Sequence, residues 1–163
     1  LLPVVVYTQQ SDPFFRGLAK MEQKQYTDAI DDFTDAISTD DTKPDIYLKR
    51  AQCFYETGEY TSAISDFLAA EKLRKYSGSY HLSRIYAVTG KSDSAIYYLE
   101  RHLTSSYKLP ESMIKSDPAF TRIEYSPLWK ELWSKEWYNE FEVLLAEIKY
   151  LIKSLIKSKN LLR

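Results

Sequence analysis

Residues 25–37, QYTDAIDDFTDAI, return as residues 59–71, EYTSAISDFLAAE, and again as residues 91–103, KSDSAIYYLERHL. The alanine at the fifth position of each copy is Ala29, Ala63 and Ala95, so the copies are spaced by 34 and then 32 residues. A period of about 34 residues is that of helical hairpins stacked side by side, each too small to bury its own apolar face. Within each copy the apolar residues recur at spacings of three and four, which places them on one face of a helix. Such arrays offer extended surfaces to partners, so the repeat points to binding rather than to catalysis.

The composition sets bounds on that reading. A chain of 163 residues can bury one sizeable core, and four glycines with six prolines leave little for long loops. The net charge of −1 gives no global attraction to nucleic acid. The single cysteine, Cys53, excludes an intramolecular disulfide and a cysteine-based zinc site; in a helical repeat it reads as a small buried residue. No glycine-rich phosphate loop or HExxH pair is present, and a catalytic triad would have to rest on His81 or His102 alone. His102 reads as a packing residue, since no second metal ligand lies at a suitable spacing. Basic residues are not interleaved with aromatics as in single-strand binders. The expectation is a non-enzymatic chain with no cofactor and no metal. The aspartates Asp28, Asp31, Asp32, Asp35, Asp40 and Asp41, and the basic cluster from Lys149 to Arg163, read as solvated helix faces.

Working outward, each copy is the second helix of a hairpin. The first hairpin is expected at about Asp12–Gln25 and Thr27–Ser38, with Ser11 or Asp12 as cap and Pro13 in the first turn. The next is expected from Pro44 to about Thr57, where Gly58 ends the helix, and from Thr61 to Lys75. The third is expected at about Gly78–Thr89 and Ser92–Ser105. Repeat boundaries fall at about 11–43, 44–75 and 76–105.

These residues carry a resemblance to the tetratricopeptide repeat. The small residue of the first helix, twelve before the anchor alanine, is Gly17, Ala51 and Ser83. The anchor, a bulky residue four later and a small residue seven later are Ala29, Phe33 and Ala36, then Ala63, Phe67 and Ala70. In the third copy Ala95 and Leu99 fit and His102 departs. The aromatic three before the anchor is Tyr26 and Tyr60, while Ser92 departs; the turn glycine is Gly58 and Gly90, while Lys24 departs. The resemblance implies an all-α superhelix of three hairpins over residues 11–105, followed by a C-terminal capping helical segment over 106–163. It also implies a partner-binding groove lined by the first helix of each hairpin: Phe14, Leu18 and Met21; Leu48, Lys49, Gln52 and Tyr55; Tyr80, His81 and Arg84. One subfamily clamps chaperone C-terminal carboxylates, but its clamp slots here hold Phe14, Leu18, Lys49, Ser77 and His81, of which only Lys49 could serve. An apolar or aromatic peptide segment, or a helix, fits this groove better.

Residues 106–135 interrupt the repeat with Pro110, Pro118 and Pro127. Asp117-Pro118 and Ser126-Pro127 read as capped helical turns, and Phe120, Tyr125, Trp129 and Trp133 are expected to plug the end of the array. Residues 134–158 read as one long helix with Phe141, Leu144, Leu145, Ile148, Leu151, Ile152 and Leu155 in an apolar stripe. Capping of the last hairpin is the favoured reading of that stripe. Its alternatives are a further repeat or self-association through residues 138–158, and a membrane surface. No stretch reaches the length of a membrane-spanning helix.

Residues 1–10, LLPVVVYTQQ, resemble the end of a secretory leader cleaved after Thr8, and the Gln9-Gln10 start is similar to that of exported repeat proteins of Bacteroidota. A short arm packed on the first hairpin is the alternative. The leader reading implies the periplasm or envelope; without it the chain is cytoplasmic. The function expected is a scaffold for protein–protein interaction. A structural or self-associating module is the first alternative, and an accessory segment of a larger enzyme the second.

Overall fold

The computed structural model describes residues 12–138 and 140–160, with side chains described for 12–138, 144, 145 and 147–156. The leader reading falls on residues 1–10, outside the described residues. The chain is all-α: among the described residues there are nine α-helices, one 3-10 turn and no strand. They belong to two compact units, Leu1–Gly78 and Ser79–Arg163.

The first unit holds two hairpins. Helices α1 (Pro13–Glu22) and α2 (Tyr26–Thr39) form one, and α3 (Pro44–Glu56) and α4 (Tyr60–Leu73) the other. The Asp12 side chain accepts the Phe14 N–H at 2.9 Å, and Pro13 occupies the first helical position, where its missing N–H costs nothing. Between the hairpins, the Asp40 carboxylate accepts the Thr42 N–H at 3.0 Å, and Pro44 starts the next helix. The turn inside each hairpin is left-handed, with φ of 60° at Lys24 and 81° at Gly58. Lys24 therefore keeps the turn geometry without the glycine.

The repeat residues build the core. Ala29, Phe33, Ala63, Phe67 and Ala70 are wholly buried, and Ala36 nearly so. Gly17 is required by close approach: a Cβ there would stand 2.7 Å from Cε1 of Phe33. Phe33, Ile46 and Cys53 form a cluster against which Phe14, Leu18, Met21, Tyr26, Ile30 and Ile37 pack. Burial pushes the Cys53 thiol up to about 11, so it is an inert core residue.

The acidic face of α2 is not wholly solvated, contrary to expectation. Asp32 is 5% exposed, and its carboxylate receives Arg16 Nε at 2.9 Å and Lys20 Nζ at 2.7 Å. Burial works against this carboxylate, but hydrogen bonds and charge from Lys20 and Arg16 outweigh it and lower its pKa. One repeat later, Arg50 grips Asp66 with Nε at 2.7 Å and Nη2 at 2.8 Å, and its Nη1 reaches Oγ1 of Thr34 at 3.0 Å. Arg50 thereby ties the second hairpin to the first.

The second unit contains the third hairpin, α5 (Ser79–Val88) and α6 (Ser92–Leu103), with its left-handed turn at Gly90. It continues through α7 (Glu111–Lys115), the 3-10 turn Pro118–Phe120, α8 (Pro127–Trp133) and α9 (Glu140–Asn160). Asp117 and Ser126 cap their turns as expected, accepting the N–H groups of Ala119 at 2.9 Å and Trp129 at 3.2 Å. Phe120, Ile123, Trp129 and Leu132 join Ala95, Leu99 and Leu103 in one core, with Trp133 partly buried against it. Tyr125 does not belong to that plug: it is 80% exposed.

Two features depart from the expected long helix. It starts at Glu140, not 134, because the preceding residues are held to the core. Trp137 Nε1 donates to the Leu132 carbonyl at 2.7 Å, and Tyr138 Oη to the Leu109 carbonyl at 2.5 Å. Nor does the apolar stripe of α9 cap the hairpin. Leu144, Leu145, Ile148, Leu151, Ile152 and Leu155 are all exposed; Trp129, Leu132 and Phe120 already fill the position it was expected to take.

Candidate functional site

In the first unit, α1 and α3 are in contact, and between them they carry seven of the expected groove residues. They divide into two kinds. Phe14, Leu18 and Met21 are half-buried against the core cluster, with the Phe14 ring 5.9 Å from that of Phe33, so much of their apolar surface is spent on the hairpin. Leu48, Lys49, Gln52 and Tyr55 are half-buried on α3 and lie outside that cluster. Tyr55 packs against Tyr60 with ring centroids 5.7 Å apart. On α3, Ala51 and Cys53 are wholly buried, while Leu48 and Tyr55, three residues before and four after Ala51, flank it on the same side of the helix and stay half-buried.

Tyr80, His81 and Arg84 lie on α5, in the second unit. There Tyr80 and Arg84 converge on Asp117: Tyr80 Oη donates to Oδ2 at 2.6 Å, and Arg84 Nε is 2.8 Å from the same oxygen. The cap of the 3-10 turn is thus also the anchor that binds that turn to α5. His81 is half-buried, its ring 6.0 Å from Tyr80. Tyr80 and Arg84 therefore serve the packing of the capping segment.

His102, in the slot where the earlier copies carry Ala36 and Ala70, is buried, and its Nε2 accepts the Leu109 N–H at 2.9 Å. That bond assigns the proton to Nδ1. Burial pushes the imidazole down to about 4. It is a neutral acceptor that fixes the chain where the repeat ends. Among the described residues no group of three His, Cys, Asp or Glu side chains could hold a metal ion.

Sequence reasoning missed the ion pairs that brace the hairpins, although their signal is present. Arg16, Arg50 and Arg84 recur at intervals of 34, as do Asp32, Asp66 and Glu100, each sixteen residues after its arginine. The first two pairs form. In the third, Glu100 pairs with Lys135 at 2.5 Å and Arg84 turns to Asp117, so the same arginine is redirected to hold the capping segment. Phe15 was also missed: it is 64% exposed beside Phe14, their centroids 5.6 Å apart.

With hairpins, small-residue slots and left-handed turns in place, the comparison with known proteins is direct. A tetratricopeptide-repeat family model matches residues 16–79. Residues 16–79 are thus similar to tetratricopeptide repeats. A stretch of 52 residues is 40% identical to DnaJ homolog subfamily C member 7 of Homo sapiens, covering 32% of this chain and 10% of that protein; the Mus musculus protein matches equally. A 60-residue stretch is 37% identical to TPR repeat-containing protein YsoA of Bacillus subtilis (strain 168), covering 37% of this chain and 17% of that protein. The chain thus spans less than a fifth of the length of these relatives, and the likeness lies in the repeat itself.

Proposed function

We propose that the chain is a non-catalytic tetratricopeptide-repeat scaffold that binds an apolar or aromatic peptide segment, or a helix, on the first-helix face of its first unit. The observation that carries this reading is the division on that face. Leu48 and Tyr55 stand half-buried outside the core cluster, while Ile46 and Cys53 of the same helix belong to it and Ala51 is wholly buried. Half-exposed leucine and tyrosine beside the aliphatic stem of Lys49 suit an apolar ligand, and tyrosines are prominent among residues that dominate interface energies. The local likeness to DnaJ homolog subfamily C member 7 and to TPR repeat-containing protein YsoA supports the architecture. The leader-like residues 1–10 are the reason to propose a periplasmic or envelope setting for this interaction, with the cytoplasm as the alternative.

The test is a cross-linked pull-down from envelope and cytosol fractions, comparing wild type with Leu48→Asp/Tyr55→Asp. These positions are preferable to Leu18, whose contacts with the core would make Leu18→Asp a folding variant. A partner captured by wild type and lost by the variant, at unchanged helicity, is the expected outcome. Equal capture by both would move the site off this face.

A further inference from the structure

The outward stripe of α9 has no role in the binding reading, and its charges follow a direction. Residues 140–147 carry Glu140, Glu142 and Glu147 and no base; residues 149–160 carry Lys149, Lys153, Lys157 and Lys159 and no acid. Attraction to the helix dipole accounts for charges in the first and last turns only. It does not account for Glu147, Lys149 and Lys153 in the middle of a 21-residue helix.

The stripe is also symmetric about Ile148. Steps of three, four and seven residues on either side fall on Leu145 and Leu151, Leu144 and Ile152, and Phe141 and Leu155. A helix laid antiparallel on its own copy, with the two Ile148 side chains at the centre, would match apolar position to apolar position along its length. It would also lay each acidic half along a basic half. A parallel pair would set the three glutamates of one helix beside those of the other.

The described side chains are arranged for such a partner. From α9, Leu145, Lys149, Tyr150, Lys153 and Ser154 line a cleft of about 990 Å³ against residues 104–113. Most of these lie off the stripe. Leu144, Ile148, Ile152 and Leu155 line neither that cleft nor its smaller neighbour and are 44–62% exposed. The helix turns its mixed face inward and its apolar face out. We infer that α9 is a self-association helix, pairing antiparallel with α9 of a second copy about a two-fold axis at Ile148.

The full chain would be followed by sedimentation velocity from about 1 to 100 µM, where mass action separates monomer from dimer. The expected mass rises toward twice the 19.1 kDa of one chain. Ile148→Asp, which would bring two carboxylates together, is expected to remain monomeric with unchanged helicity of the hairpins. Direction is read by oxidation: a mixture of Leu144→Cys and Ile152→Cys chains should give the mixed disulfide dimer, while each alone should not. The native Cys53 is wholly buried and does not compete. A wild-type chain that stays monomeric throughout overturns the proposal, as does an Ile148→Asp dimer. Disulfide dimers of Leu144→Cys alone would mean a parallel pair and overturn it equally. Monomers that float with phosphatidylglycerol vesicles would assign the stripe to a lipid surface instead.

Discussion

Lys24 occupies a turn position at which the next two repeats carry glycine, with φ of 60° against 81° at Gly58 and 76° at Gly90. A side chain in this region clashes with its own backbone, so Lys24→Gly is expected to stabilise the chain by about 0.5–1 kcal/mol. Gly58→Ala should cost about 1 kcal/mol for the same reason alone, since a Cβ there meets nothing within 4 Å. Gly17→Ala tests a different cause. Its new methyl would run into Phe33, and overpacking of that kind costs about 1–3 kcal/mol, with Phe33→Leu in the same chain recovering part of the loss. Urea unfolding of the single and double variants measures all three. His102 adds a pH dependence. Its folded pKa lies near 4 against an ordinary 6.5, so between these values the unfolded chain takes up a proton that the folded chain refuses. Stability is then whole above pH 6.5 and falls as pH drops toward 4, by up to about 3 kcal/mol. Urea melts at pH 7, 5 and 4 should show that loss, and His102→Gln, which keeps an acceptor for the Leu109 N–H, should remove this component.

At the scale of elements, the hairpins rest on pairs that join a first helix to its second. Arg50 and Asp66 are almost withdrawn from water, their side chains 18% and 7% exposed. Arg50→Ala strands the Asp66 carboxylate and is expected to cost about 3 kcal/mol, whereas Arg50→Met with Asp66→Leu should stay within about 1 kcal/mol of wild type, because an apolar pair avoids desolvating charge. Thermal and urea melts decide between those outcomes. The six hairpin helices were legible from the sequence to within a few residues, since caps, prolines and anchor alanines all act locally. The Arg–Asp pairs were not, because reading at spacings of three and four looks along one helix and these partners meet across two. Helix α7, five residues long, has too few turns to show a period. The late start of α9 was hidden because Trp137 and Tyr138 are drawn to the core by tertiary contacts that outrank local helix preference.

For the molecule as a whole, the repeat pattern made the architecture readable and the binding face only partly so. A first-helix stripe in the sequence does not reveal which members turn toward the hairpin partner. Phe14, Leu18 and Met21 turned out to be shared with the core, while Leu48 and Tyr55 were left to the surface. The capping aromatics were legible through their Asp-Pro and Ser-Pro caps, and Tyr125 was misplaced among them because sequence adjacency to Phe120 and Trp129 says nothing of its direction. The central claim is that α3, beside α1, presents an apolar peptide-binding face. The most direct measurement is to pan a displayed peptide library on the full chain and titrate the selected peptides into wild type and Leu48→Asp/Tyr55→Asp. The account predicts peptides enriched in leucine and aromatic residues whose affinity falls at least about tenfold in the variant, a loss of about 1.4 kcal/mol, at unchanged circular dichroism. Absence of any selected peptide, or equal affinity for both chains, would contradict it.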